Sequence, residues 1–132
     1  MIELETEILD AIKPLLAPSL EKLNSHKFDA QPGLLEVKCR QNEGEPPSTL
    51  LRLQTLHQQK KVNISSVNIP AAMKGHGLGK KLIKEIYIAA KAHGYEVFVT
   101  DMTPDFYQRL LRRGARLHND DVVQINDDTV LA

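Results

Sequence analysis

Three glycines at alternate positions, Gly75, Gly77 and Gly79, separate a segment with the period of a strand from one with the period of a helix. Glycine adopts positive φ easily and lets the backbone come close to a ligand. The first N–H groups of a helix have no acceptor within it, and the helix dipole favours an anion there. The cluster therefore predicts a site for a phosphate or pyrophosphate group at the start of a helix.

Two common phosphate-binding patterns do not fit this spacing. A Walker loop requires a glycine five residues before Gly79 and a Ser or Thr after the lysine, but Lys74 and Lys81 occupy those positions. The dinucleotide fingerprint requires G-x-G-x-x-G, whereas the order here is G-x-G-x-G. The sequence therefore favours a phosphate site of another class.

The chain before the glycines predicts one helical region followed by strands. Apolar residues recur at helical intervals over residues 1–25, and Pro14 is expected to kink or split this region. Apolar and polar residues alternate over 35–40, and 50–56 is a second strand candidate. The short polar turns between the strand candidates favour antiparallel neighbours.

The segment from Val62 to Ile69 has a break in its period. Val62 and Ile64 alternate as in a strand, but the next apolar residue is Val67, three positions later. A β-bulge near Ser65 would explain the break, because it adds one residue and bends the strand. A strand that ends at this point would explain it equally well.

After the glycines, the pattern predicts a helix, a strand, a second helix and one or two final strands. An amphipathic helix begins at Leu78 and ends near Gly94, and residues 96–100 form a short apolar strand. The order strand, helix, strand implies a parallel crossover. Pro104 opens the next helix, and residues 116–125 supply the last strands.

The composition predicts a single domain over residues 1–132. Seventeen basic residues balance seventeen acidic ones, so we expect no nucleic-acid partner. No apolar run approaches the roughly 20 residues that cross a bilayer, and we expect a cytoplasmic protein without a membrane partner. Cys39, the single cysteine, is expected to be a buried structural thiol, and no His/Cys spacing predicts a metal site.

The segment Lys74-Gly75-His76-Gly77-Leu78-Gly79 resembles the [Arg/Gln]-x-x-Gly-x-[Gly/Ala] pattern of the GCN5-related N-acetyltransferase (GNAT) superfamily, with a lysine at the first position. The resemblance extends over about residues 50–117 in the order of strand, broken period, glycine loop, helix and strand. It implies an α/β (α+β) fold: a mixed, mostly antiparallel sheet, flanked by helices, whose central parallel strand pair is splayed at the cofactor site.

The resemblance implies that acetyl-CoA (coenzyme A) binds along this loop. The pyrophosphate would lie on the segment formed by Lys74, Gly75, His76, Gly77, Leu78, Gly79 and Lys80. The pantetheine arm would pair with the main chain of Val67 and Ile69.

The implied activity is transfer of an acetyl group by direct attack of an amine, which is a small molecule or a peptide. The alternative is a noncatalytic acyl-CoA-binding or interaction module with the same fold. The family often dimerises through its last strands, so a homodimer remains open.

Catalytic side chains are harder to assign. The resemblance makes Tyr107 the candidate acid that protonates the leaving thiolate, although it could equally be a core residue. Glu36 and Asp101 are candidate bases by their location near strand ends, although a surface carboxylate without a catalytic role is the default for both. Four arginines form a basic cluster that either holds a phosphate or an acidic substrate, or is a solvated helix face: Arg109, Arg112, Arg113 and Arg116.

Overall fold

The computed structural model describes residues 4–21, 23, 25–40, 42–69, 77–119 and 122–131. The elements within these ranges are, in chain order, α1 (Leu4–Leu20), β1 (Ser25–Gln31), β2 (Leu34–Arg40), β3 (Ser48–Leu56), β4 (Lys61–Val67), α2 (Leu78–Ala92), β5 (Glu96–Val99), α3 (Pro104–Arg112), β6 (Arg116–Asn119) and β7 (Val122–Ile125). The strands form one sheet in the spatial order β1-β2-β3-β4-β5-β7-β6. Neighbouring strands are antiparallel except β4 and β5, which are parallel. The predicted fold class, a mixed and mostly antiparallel sheet with one central parallel pair, is therefore confirmed.

The core lies between one face of the sheet and the helices α1 and α2. On this face, Val62 and Ile64 of β4 lie in register with Val97 and Val99 of β5, and all four are buried. The helix α1 packs against α2 and against β1 and β2, and α2 also packs against β5. On the opposite face Lys61 remains partly exposed, but Phe98 of the central strand β5 is buried. The outer strands therefore bury one face, whereas β5 is buried on both.

The helix α1 runs without a break from Leu4 to Leu20, so of the two effects predicted for Pro14, a kink or a split, the split is wrong. Both Pro14 and Pro18 lie inside the helix and are exposed. A proline inside a helix removes one backbone hydrogen bond and costs about 3 kcal/mol. The opposite stripe is fully buried at intervals of four residues, in Ile8, Ile12, Leu16 and Leu20. Burial of four such side chains is worth about 1.5–3 kcal/mol each and outweighs the cost of the prolines.

The sequence pattern missed the edge strand β1, which lies between the predicted helix and the first predicted strand. Its apolar residues Phe28 and Ala30 are only half-buried, and most of its other residues are exposed. It pairs antiparallel with β2 from Ser25 opposite Arg40 to Gln31 opposite Leu34. An edge strand needs little apolar alternation, because its hydrogen bonds to a neighbour hold it in place.

The broken period in β4 is a β-bulge, and the alternative of a strand that ends there is wrong. Leu53 of β3 lies opposite Ile64, but its neighbour Arg52 lies opposite Ser66, which leaves Ser65 as the extra residue. The parallel pairing ends at the same point, where the Thr100 N–H donates to the Ile64 carbonyl at 2.8 Å. Beyond it β4 continues, paired with β3 alone. The two parallel strands therefore part just after the bulge.

Candidate functional site

A cavity of about 420 Å³ lies where three elements meet: the end of β4, the start of α2 and one side of α3. The described residues that line it are Val67, Asn68, Ile69, Gly77, Leu78, Gly79, Lys80, Thr103, Phe106, Arg109, Leu110 and Arg113. The second half of the glycine cluster therefore forms one wall of the cavity, and the strand beyond the bulge forms another.

The start of α2 has the features of an anion site. Gly77 has φ 65° and ψ 27°, a left-handed conformation that glycine adopts without strain. The first helical bond within α2 is from the Lys81 N–H to the Gly77 carbonyl at 3.0 Å. None of the described side chains caps this end, and its first turn contains no acidic residue. The N–H groups of Leu78 and Gly79, which have no acceptor within the helix, are therefore suited to bind an anion.

Gly79 keeps the middle of the cavity open. A Cβ at this position would lie 3.6 Å from Val67 Cγ1, 3.8 Å from Ile69 Cγ1 and 3.9 Å from Phe106 Cε1. These are ordinary contact distances, so one methyl group would just fill the space between the strand and α3. A larger side chain would occupy the volume that a ligand needs.

The helix α3 turns one side to the cavity. Thr103 caps its start, and its hydroxyl accepts a hydrogen bond from the Phe106 N–H at 3.3 Å. Thr103, Phe106, Leu110 and Arg113 line the cavity at intervals of three or four residues, as neighbours on one side of a helix do. This spacing is visible in the sequence, but nothing local indicates that this side would face the glycine segment.

The charge of the cavity is positive. Lys80, Arg109 and Arg113 line it, and the described lining includes no acidic side chain. The start of α2 adds the positive end of its helix dipole. Together these features suit a ligand that has an apolar part beside the strand and one or more phosphates beside the helices. The residues present therefore fit a nucleotide cofactor such as coenzyme A.

The predicted site residues divide into three groups. The cavity brings together Val67, Ile69, Gly77, Leu78, Gly79 and Lys80. Lys74, Gly75 and His76 lie outside the described residues. Tyr107 does not line the cavity: it is half-buried and packs against the core. Sequence reasoning missed Asn68, Thr103 and Phe106, and it left Arg109 and Arg113 open between a phosphate or substrate site and a solvated helix face.

The candidate bases lie in different parts of the fold. Glu36 is in β2, opposite Arg52 of β3, away from the parallel pair. Asp101 directly follows Thr100 at the point where β4 and β5 part, is exposed, and has φ 52°. A non-glycine residue with positive φ is uncommon, although aspartate tolerates it better than most. Of the two carboxylates, only Asp101 is close in sequence to the strand opening.

A separate group of polar side chains lies at the other end of the parallel strands. Glu5 of α1 is completely buried, and its Oε2 accepts from the Gly33 N–H at 2.9 Å and from the Thr55 hydroxyl. The same oxygen lies 2.7 Å from His57 Nε2, and His57 Nδ1 lies 2.6 Å from the Tyr95 hydroxyl. Burial raises the pKa of Glu5, but hydrogen bonds, that from Thr55 the largest, outweigh it, so the pKa is lowered overall. This group fastens α1 to the sheet.

Within the described ranges, the remaining chemistry-bearing residues form no second centre of a recognisable kind. Cys39 is buried in β2, as expected, with its Sγ 3.8 Å from the Ser48 hydroxyl. Among the described residues, no group of three or more His, Cys, Asp or Glu side chains could hold a metal ion. In the same part of the chain, no helix is long and apolar enough to cross a membrane.

No protein-family model matches this chain, and no curated protein matches it either. Two solved structures resemble it. Nourseothricin acetyltransferase is 14% identical with a TM-score of 0.49, over 70% of this chain and 55% of that protein. A protein from Agrobacterium tumefaciens assigned as an acetyltransferase is 20% identical with a TM-score of 0.44, over 94% of this chain and 90% of that one. This chain thus spans little more than half of nourseothricin acetyltransferase.

Proposed function

We propose that this chain is an acyl-CoA-dependent N-acyltransferase that transfers an acetyl group from acetyl-CoA to an amine. The observation that carries the proposal is the cavity at the end of β4. It combines an apolar strand wall, a helix start without a described side-chain cap, and a basic side of α3. Acetyl-CoA has the matching parts, because a pantetheine arm with few charges leads to a pyrophosphate and then to a further phosphate.

The residues that would hold the donor follow from this match. The main chain of Val67 and Ile69 would lie along the pantetheine arm. The N–H groups of Leu78 and Gly79 would bind the pyrophosphate, together with the segment 74–76 that the sequence pattern predicts. Gly79 would leave room for the chain that joins the two parts.

The bound donor supplies an acyl group activated as a thioester. An acceptor amine, on a small molecule or a peptide, would approach through the opening between β4 and β5 beside Thr100. Direct attack is supported by the position of Cys39, because the single cysteine is buried in β2 and is not part of the cavity lining. Tyr107 remains the proposed acid. A phenolic hydroxyl is one of the side-chain groups that can donate a proton to a leaving group in the transition state.

Isothermal titration with acetyl-CoA and CoA tests donor binding. A matched pair of variants, Gly77→Asp and Gly77→Asn, isolates the contribution of charge, because both residues tolerate positive φ and have nearly the same shape. We expect Gly77→Asp to abolish binding and Gly77→Asn to retain it within about tenfold, that is, within about 1.4 kcal/mol. Equal binding by both variants, or no binding by the wild type at high micromolar donor, would refute the proposal.

A second candidate function is a noncatalytic acyl-CoA-binding module, and the position of Tyr107 favours it. This side chain, the only candidate acid that the sequence offered, is not among the described residues that line the cavity. An assay for thiol release with a broad panel of amines separates the two functions. Thiol release with any amine, above the rates without protein and without amine, supports the transferase. Donor binding without release supports the module.

A further inference from the structure

The side of α3 that faces the cavity is apolar at Phe106 and basic further along, at Arg109 and Arg113. Phe106 lies opposite Gly79, 3.9 Å from the position of a Cβ there. Arg109 is one turn further along, and Arg113 is two turns further. With a rise of 1.5 Å per residue, Arg113 lies about 10 Å beyond Phe106 along the helix. Thr103, where the chain from β5 enters α3, therefore lies on one side of Gly79 along the helix. The two arginines line the cavity on the other side.

Each of the two arginines can still donate to a ligand. Arg113 is half-buried, and its Nη1 donates to the Val130 carbonyl at 3.3 Å, which uses one of five N–H donors. Arg109 is exposed at the cavity edge. Arg112, between them in sequence, does not line the cavity, and its Nε donates to the Gln108 carbonyl. The helix thus presents Arg109 and Arg113 to the cavity, and Arg112 is a matched position outside it.

The order of features along the cavity matches the order of groups in the donor. Under the proposed function, the thioester lies toward the strand opening and the pyrophosphate lies at the start of α2. The group beyond the pyrophosphate is the adenosine, whose ribose carries a phosphate monoester. A phosphate monoester has a charge of about −1.5 to −2 at neutral pH, and arginine binds it with two parallel hydrogen bonds.

We propose that Arg109 and Arg113 bind this ribose phosphate, so that the protein selects free CoA thioesters over donors that lack it. This inference rests on the proposed function, since it assigns a role within the same cavity. Donors without the ribose phosphate include dephospho-CoA and the acylated phosphopantetheine arms of carrier proteins. A protein that selects against them uses free CoA thioesters as its class of donor.

The experiment is isothermal titration of the wild type and three variants, Arg109→Met, Arg113→Met and Arg112→Met, with CoA and with dephospho-CoA. The measured quantity is the ratio of the two Kd values for each protein. A charged hydrogen bond is worth about 1.5–3 kcal/mol, so we expect the wild type to prefer CoA by about 10- to 100-fold. We expect Arg109→Met and Arg113→Met each to reduce the preference several-fold or more and Arg112→Met to leave it unchanged. Methionine retains much of the apolar stem and removes the charge.

Arg113 also donates to the Val130 carbonyl, so its variant needs a check on folding. Arg113→Lys keeps the positive charge but lacks the planar fork, and it should retain part of the preference. Equal affinities of the wild type for the two ligands would overturn this inference and leave the proposed function intact. An Arg109 or Arg113 variant that raises the Kd values for CoA and dephospho-CoA by the same factor would also overturn it. Failure of the wild type to bind either ligand would instead refute the proposed function.

Discussion

A Cβ on Gly79 would lie 3.9 Å from Phe106 Cε1, so the absence of a side chain leaves a gap about one methyl group wide between α2 and α3 at the middle of the cavity. The same glycine is inside α2, where a residue with a side chain is better suited to the helix. Glycine at position 79 therefore lowers the stability of the helix but leaves the space that a ligand requires, and both effects can be measured.

Replacement of Gly79 should separate stability from binding. Gly79→Ala meets only ordinary contacts and removes backbone entropy from the unfolded chain, so we expect it to raise the free energy of unfolding by about 0.5 kcal/mol. Gly79→Leu fills the cavity, and we expect it to weaken CoA binding at least tenfold without unfolding the protein. Denaturant unfolding and titration of both variants check this. Undiminished binding by Gly79→Leu would show that the ligand lies elsewhere.

Loss of the Tyr107 hydroxyl tests the proposed acid. Tyr107→Phe should leave the Kd for acetyl-CoA unchanged and lower turnover by roughly 10²-fold, the usual contribution of a general acid. The matched control is Tyr95→Phe, because that hydroxyl contacts His57 at the opposite end of the parallel strands. If both variants turn over like the wild type, Tyr107 is a packing residue.

The buried carboxyl of Glu5 predicts a pH dependence of stability. Its pKa is lower in the folded protein than the usual 4.5, so the unfolded state takes up the proton first as the pH falls. The stabilisation is therefore present above about pH 4.5 and is lost as the pH falls through the lowered folded pKa. Glu5→Gln should flatten this dependence and cost about 1–3 kcal/mol at neutral pH. Thermal unfolding between pH 3 and 7 measures both effects.

The control for Glu5 lies two residues along the same helix. Glu7 pairs with His93 through a partly exposed contact, so Glu7→Gln should change stability by less than about 1 kcal/mol. A wild-type pH profile that matches that of Glu5→Gln would contradict the role assigned to Glu5.

Gly114 sets the path of the chain after α3. It has φ 97°, and a Cβ there would lie 2.7 Å from the Asp128 carbonyl oxygen, which is a clash with backbone. We expect Gly114→Ala to cost about 2–4 kcal/mol, from the left-handed conformation and the clash together. Gly44 has φ 87°, and a Cβ added there would meet no atom within 4 Å, so Gly44→Ala should cost only about 1 kcal/mol. Equal losses in denaturant unfolding would show that the clash is relieved by movement of the last residues.

The sequence predicted features that depend on neighbours along the chain. The gap between Ile64 and Val67 located the irregularity in β4 but left a bulge and a strand end equally open, whereas the glycines and the apolar stripe indicated the start of α2. Features that depend on distant packing were missed. Pro14 argued locally against a continuous helix, and only the buried stripe across the fold overrides it. The spacing of Arg109 and Arg113 was visible, but the orientation of α3 against α2 decides whether that side meets solvent or a cavity.

The single extra residue at Ser65 determines on which face of the sheet each later side chain of β4 lies. Side chains alternate strictly between the two faces of a sheet, so without the insertion Val67, the last residue of β4, would exchange faces with Ser66. A serine would then take the place of the valine that lies closest to Gly79. One inserted residue thus decides which chemistry is presented to the cavity, although it forms no part of the cavity lining itself.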